Sequence, residues 1–305
     1  MAYRLEMSES TSKGLARIAA EQIDRARRDI ARRDTVEGIH KLRQRCKRVR
    51  AVLRLGRPAL GKHYARENRR FRDLARAVGG PRDEQILIDT LDALMAVNKD
   101  RVDRRQFTPT RQQLLKRHRQ ALKATALPDR AWLSSELEKA REAVNDWAPA
   151  IDRFKALSEG LTDTSRRARQ AMKQAEGASD EVTFHEWRKQ VKYHRHHCEL
   201  LANVWKAPMD ARAKEAHRLA DLLGEEHDLA MLAQVLSDPA TAFQGQEKAG
   251  ALLEMIAERR QTLQGEALLL GRRLFAEKPE ALGKRIKCYQ AVARQEAREA
   301  EPSVS

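Results

Sequence analysis

"HKLRQRCKRVRAVLRL" (residues 40–55) and "HEWRKQVKYHRHHCEL" (residues 185–200) are two versions of one segment. An offset of 145 pairs His40 with His185, Arg43 with Arg188, Lys47 with Lys192 and Arg50 with Arg195, so both copies read H-x2-R-x3-K-x2-R. The offset continues downstream without a gap. "LARAVGGPRDEQIL" (74–87) matches "LADLLGEEHDLAML" (219–232), pairing Leu74, Ala75, Gly79, Asp83 and Leu87 with Leu219, Ala220, Gly224, Asp228 and Leu232. Further on, "HRQAL" (118–122) resembles "RRQTL" (259–263) after a shift of four residues, as a change of loop length produces. A register held over about fifty residues is the mark of a duplicated unit.

The unit is helical. Ala, Leu, Arg, Glu, Lys and Gln, the strong helix formers, dominate long stretches. The nine prolines and 14 glycines cluster at breaks such as "LGRPALGKH" (55–63), "VGGPRDE" (78–84), "DWAPAID" (146–152), "LGEEHD" (223–228) and "EKPEALG" (277–283). Proline just inside a helix start and glycine near its end are the expected punctuation. The chain therefore reads as all-α, a single domain over 3–275. One half runs over about 3–126 and the other over about 151–275, joined by a connector at about 127–150. A C-terminal helical extension and frayed tail occupy 276–305.

At 100° per residue, with the leading histidine at 0°, the arginine at +3 falls at about −60°, the lysine at +7 at about −20° and the arginine at +10 at about −80°. Arg54 falls on the same side. The opposite side carries Leu42, Cys46, Val49 and Leu53 in the first copy, and Trp187, Val191, His194, Cys198 and Leu201 in the second. Each motif helix thus has an apolar stripe and a basic stripe. This settles the histidine-rich run "VKYHRHHCELL" (191–201). His194, His197 and Cys198 pair with Val49, Val52 and Leu53, so they belong to the core. Two ligands at i and i+4 do not make a metal site, and no third ligand stands at a recognisable spacing. His196 falls beside His185 on the basic side.

Like charges three and four residues apart on a helix repel. Folding alone does not select such a stripe, whereas a partner that neutralises it does. Arginine offers a rigid fork for phosphate oxygens and lysine a point charge. Ten residues of helix span about 15 Å. Two such stripes about a pseudo-twofold axis would line one basic groove suited to a linear, repeating anion. Basic positions recur outside the motif: Arg69 pairs with Lys214, Arg72 with His217 and Arg119 with Arg260. Asp83 and Asp228 follow glycine-containing breaks and read as helix caps. The two copies differ in sign at two places: Arg54 stands opposite Glu199, and Arg76 opposite Asp221. Weaker binding by the second half is expected.

Composition agrees with a polyanionic partner. Among the 305 residues the formal net charge is +16, and aromatic residues are only 5%. Three cysteines, Cys46, Cys198 and Cys288, do not form a disulfide framework. The polar start "MAYRLEMSES" and the absence of a long apolar run point to a soluble, cytoplasmic protein with no membrane association.

The repeated motif, its order, the opening "YRLEMSESTSKGLARIAAEQ" (3–22) and the paired "LA…G…D" segments resemble the CHAD family, the conserved-histidine α-helical domain. The resemblance implies two four-helix bundles around a pseudo-twofold axis with a central basic groove or pore. It also implies binding of inorganic polyphosphate and association with polyphosphate granules in bacteria. The binding residues it carries over are His40, Arg43, Lys47 and Arg50, with His185, Arg188, Lys192 and Arg195. Arg54, Arg69, Arg72, Lys214, His217, Arg119 and Arg260 join them as secondary candidates. Some family members are fused to a triphosphatase-type tunnel domain with an ExExK strand motif. "SELEKA" (135–140) misses that motif and lies in a helical context.

Two other classes compete. Sequence-independent nucleic-acid binding needs only phosphate contacts, but the stripes lack the stacking aromatics of single-strand binders. An enzyme would need a carboxylate cluster for Mg²⁺, a P-loop or a nucleophile–base pair, and none is evident. The expectation is a non-catalytic polyphosphate binder without a cofactor or metal, with weak nucleic-acid binding as a side activity.

Overall fold

The computed structural model describes residues 3–31, 35–78, 81–124, 129–151, 153–178, 180–238, 243 and 249–300. Its helices are α1 Thr11–Ile30, α2 Thr35–Leu55, α3 Arg57–Leu60, α4 Lys62–Ala77, α5 Pro81–Val97 and α6 Thr108–Ala124. There follow α7 Arg130–Trp147, α8 Phe154–Ala178, α9 Glu181–Leu200, α10 Lys206–Ser237, α11 Ala249–Leu274 and α12 Pro279–Glu299. No strand occurs among the described residues, and the protein is all-α as its composition implies.

Local chemistry places the helix starts. The Lys13 amide donates to the Ser10 hydroxyl at 3.3 Å, the Ala131 amide to Asp129 at 2.9 Å and the Thr183 amide to Asp180 at 2.8 Å. Each bond satisfies one of the orphan donors of a first turn. Pro58 is the second residue of α3 and Pro279 the first of α12, both in the first turn, where a missing N–H costs nothing.

One expected break is absent. α10 passes straight through "LGEEHD" (223–228) as a helix of 32 residues. In the first copy "VGGP" separates α4 from α5, because proline cannot continue a helix. The second copy has a single glycine and no proline there, and one interior glycine costs a helix only about 1 kcal/mol. Asp228 therefore sits mid-helix and is not a cap. Gly79 and the side chain of Asp83 lie outside the described residues, as does the tail at 301–305.

Among the described residues, buried apolar side chains form three clusters. The first joins α1, α2 and α7 to the ends of α8 and α9, around Leu42, Leu53 and Trp147. A second joins α5, α6, the last third of α10 and the first half of α11, around Leu91, Leu114, Leu232 and Ile256. The third lies among α8, α9, the middle of α10 and the end of α11, around Phe184 and Trp187. α7, in the segment read as the connector, packs on α1, and α12 packs on α8. α2 meets both α8 and α9. Close approach of α8 requires Gly160, where a Cβ would lie 1.9 Å from the carbonyl oxygen of Leu55.

Candidate functional site

The two motif helices, α2 and α9, pack against each other. The apolar stripes face inward as their period requires: Leu42, Cys46, Val49 and Leu53 are buried, and so are Trp187, Val191, His194, Cys198 and Leu201. His197 locks their contact. Its Nε2 lies 3.0 Å from the Ala51 carbonyl oxygen, which can only accept, so Nε2 carries the proton. Burial pushes this imidazole down to about 3, so it stays neutral. Arg54 seals the same interface: it donates to Gln190 Oε1 at 3.3 Å and stacks 4.3 Å above the Tyr193 ring. Across this interface the Lys47 charge helps to lower the Lys192 amine.

The first stripe bonds to two neutral amides. His40 shares a hydrogen bond with Gln44 at 2.7 Å. Arg43 is half-buried with no ion pair among the described residues. Lys47 is exposed, and Arg50 donates to the neutral Asn68 of α4 at 3.0 Å. α4 adds exposed Arg69 and Arg76, and Arg72, which pairs with Asp73 at 2.8 Å.

The second stripe is built differently. Arg188 and Lys192 enter a cleft of about 420 Å³ that also presents Asp89 from α5 and Asp221, Glu225 and Asp228 from α10. Burial pushes the Lys192 amine down to about 7, Arg188 and Lys47 add to the fall, and Asp228 and Asp221 oppose it. Arg195 donates to Glu199 at 2.7 Å and lies 3.0 Å from His217 Nδ1, and His217 is 3.2 Å from Asp221. His196 bonds Glu199 at 2.9 Å. Burial alone would raise the Glu199 carboxyl, but His196 and Arg195 override it and hold the group at about 2.

Of the secondary candidates, Arg260 is held by the buried Glu226 carboxylate at 2.8 Å, and Gln264 donates to the same oxygen at 2.9 Å. Lys214 and Arg119 are exposed, and neither makes an ion pair among the described residues. His227 escaped the sequence reading. It stacks on His185 with ring centroids 4.5 Å apart. Burial, then the nearby Arg188, hold it down to about 4. His185 is likewise lowered, by burial first and then by Lys189 and Arg188. The Nδ1 atoms of both rings and Nε of Arg188 are buried without a hydrogen-bond partner. The repeat held the signal for His227: the offset of 145 pairs it with Arg82, a basic residue before aspartate in both copies.

His194 and Cys198 lie in the core, 3.7 Å apart. The lone pair of His194 Nε2 is already used, because Arg212 Nε donates to it at 3.0 Å. Among the described residues, no group of three metal-binding side chains gathers at one point.

An all-α chain with a duplicated H-x2-R-x3-K-x2-R helix, its two copies in contact, defines a class of helical domains with paired basic helices. This chain belongs to the CHAD domain family, whose model matches residues 15–237. Its fold is similar to that in the crystal structure of the CHAD domain from the plant Ricinus communis. The TM-score is 0.62 over 90% of this chain and 95% of that one, at 17% identity. No curated protein matches the sequence. No helix among the described residues is long and apolar enough to cross a membrane.

Proposed function

We propose that this protein is a non-catalytic binder of inorganic polyphosphate, held along the basic faces of α2 and α9. The family is generally linked to polyphosphate binding. The observation that carries the reading is that the two helices bearing the basic stripes pack against each other, so that the Lys47 charge is felt at the Lys192 amine. Bringing like charges together costs free energy in the empty protein, and a phosphate chain running between them reverses the sign. His40, Arg43, Lys47 and Arg50 form one wall, and His185, Arg188, Lys192 and Arg195 the other, with the two halves related by a pseudo-twofold axis. Arg54, Arg69, Arg72, Lys214, His217, Arg119 and Arg260 act through the surrounding field. His227 extends the second wall. In the cell the protein is cytoplasmic and gathers at polyphosphate granules.

The test is titration of long-chain polyphosphate at near-physiological salt, with RNA and heparin as competitors. Tight binding that resists equal-charge competitors supports the reading. Equal displacement by RNA would make the stripes a general basic surface and favour nucleic-acid binding.

A further inference from the structure

Residues 3–5 tie the two motif helices together. The Tyr3 hydroxyl donates to the Arg48 carbonyl oxygen of α2 at 2.8 Å, and the Arg48 guanidinium lies 5.2 Å from the centre of the Tyr3 ring. The same ring meets the His196 ring of α9 edge-on, with centroids 5.9 Å apart. Two residues further on, the Leu5 amide donates to the Leu200 carbonyl oxygen at 2.9 Å, satisfying an orphan acceptor at the end of α9. Asn203 donates to the Leu5 carbonyl oxygen at 2.9 Å, and the Leu5 side chain is buried in the first apolar cluster. Two more ties join α2 to α9 directly: His197 to Ala51, and Arg54 to Gln190 and Tyr193. None of these ties uses a member of the repeated H-x2-R-x3-K-x2-R motif.

We propose that Tyr3 is a positioning residue: through Arg48 and His196 it fixes the spacing of the two basic stripes, so that one phosphate chain engages both at once. The inference rests on the polyphosphate reading above. A chain seated on one stripe meets the other in an intramolecular step, at an effective concentration set by how rigidly the two are held. If α2 slides or rocks against α9, each stripe keeps its own cations. The second stripe is then no longer in place for a chain held by the first, and ordering the pair costs free energy at the moment of binding. Tyr3 brings no charge of its own, because burial pushes its phenol well above the usual tyrosine range. An effect of its removal on binding is therefore not the loss of a cation.

The salt dependence of long-chain polyphosphate binding reads the number of cations engaged, because the logarithm of the affinity falls with the logarithm of salt in proportion to the phosphates neutralised. Over about 50 to 200 mM salt, Tyr3→Ala should bring that slope down to roughly half the wild-type value and weaken binding at the low end roughly tenfold. Tyr3→Phe keeps the ring between Arg48 and His196 and should stay close to the wild-type slope. Gln190→Met takes the acceptor from Arg54 without changing any charge, and should lower the slope in the same direction. It carries the test alone if Tyr3→Ala does not fold. Circular dichroism establishes wild-type helicity first, and an unfolded fraction lowers the amount that binds without altering the slope. An unchanged slope in the folded variants would overturn the positioning role, whether or not affinity falls, and leave the polyphosphate reading standing. A wild-type slope worth only one stripe would overturn it as well. Absence of binding by the wild-type protein would remove the polyphosphate reading, and the positioning role with it.

Discussion

On α2 the basic stripe has α4 for a neighbour, and α4 adds Arg69, Arg72 and Arg76 to it. On α9 the same stripe has α10 for a neighbour, and α10 brings Asp221, Glu225 and Asp228. The duplicated pattern is thus intact while its electrostatic company has changed sign. In the second copy Arg195 is occupied by Glu199, and Arg260 by Glu226. In the first copy Arg50 donates to the neutral Asn68 and makes no ion pair among the described residues. At Arg195 the second stripe is met by a carboxylate, whereas at Arg50 the first is met by a neutral amide, and the polyphosphate reading expects the first stripe to carry more of the ligand.

That contrast can be broken first at its strongest point. Arg43→Ala combined with Arg188→Ala removes one fork from each wall. Each lost charge-assisted contact is worth about 1.5–3 kcal/mol, so polyphosphate affinity should fall roughly 100-fold or more while helicity stays unchanged. Unchanged affinity in the folded double variant would refute the stripe model. A smaller effect sharpens the contrast. Asp221→Arg gives the second copy the charge that Arg76 has in the first, at an exposed position. Two units of charge added at the cleft are worth about 1 kcal/mol, so binding should tighten roughly fivefold in an equilibrium titration. Weaker binding would mean that Asp221 orients Lys192 more than it repels the ligand. The smallest effect on binding is expected at His194→Val, which restores the residue type of Val49. Polyphosphate affinity should not move. Stability should fall by about 1–3 kcal/mol in thermal unfolding, because Arg212 Nε loses its acceptor. A loss of affinity without a loss of stability would place His194 in the site rather than the core.

Much of this was legible in the residues. The apolar and basic stripes of α2 and α9 follow from spacing alone, and so does the burial of His194, His197 and Cys198 opposite Val49, Val52 and Leu53. Periodicity reports which side of a helix is buried, but not which helix covers it. The capture of Arg260 by Glu226, the arrival of Asp89 beside Arg188 and the stacking of His227 on His185 depend on how α5, α10 and α11 meet α9, and no local pattern encodes that. The continuity of α10 was misread because glycine serves both as a helix terminator and as a tolerated interior residue, and only proline decides between them. Arg212 reached His194 unannounced for a related reason: an arginine on an amphipathic helix reads as solvated until a partner imidazole is seen beneath it.

The most direct measurement is a lysine footprint, made by acylating the protein with and without long-chain polyphosphate and reading each lysine by mass spectrometry. Protection should concentrate at Lys47 and Lys192, on opposite walls of the groove, while exposed Lys155 and Lys206 react as before. Uniform protection across the surface, or continued reaction of both Lys47 and Lys192 in a saturated complex, would contradict the two-walled site.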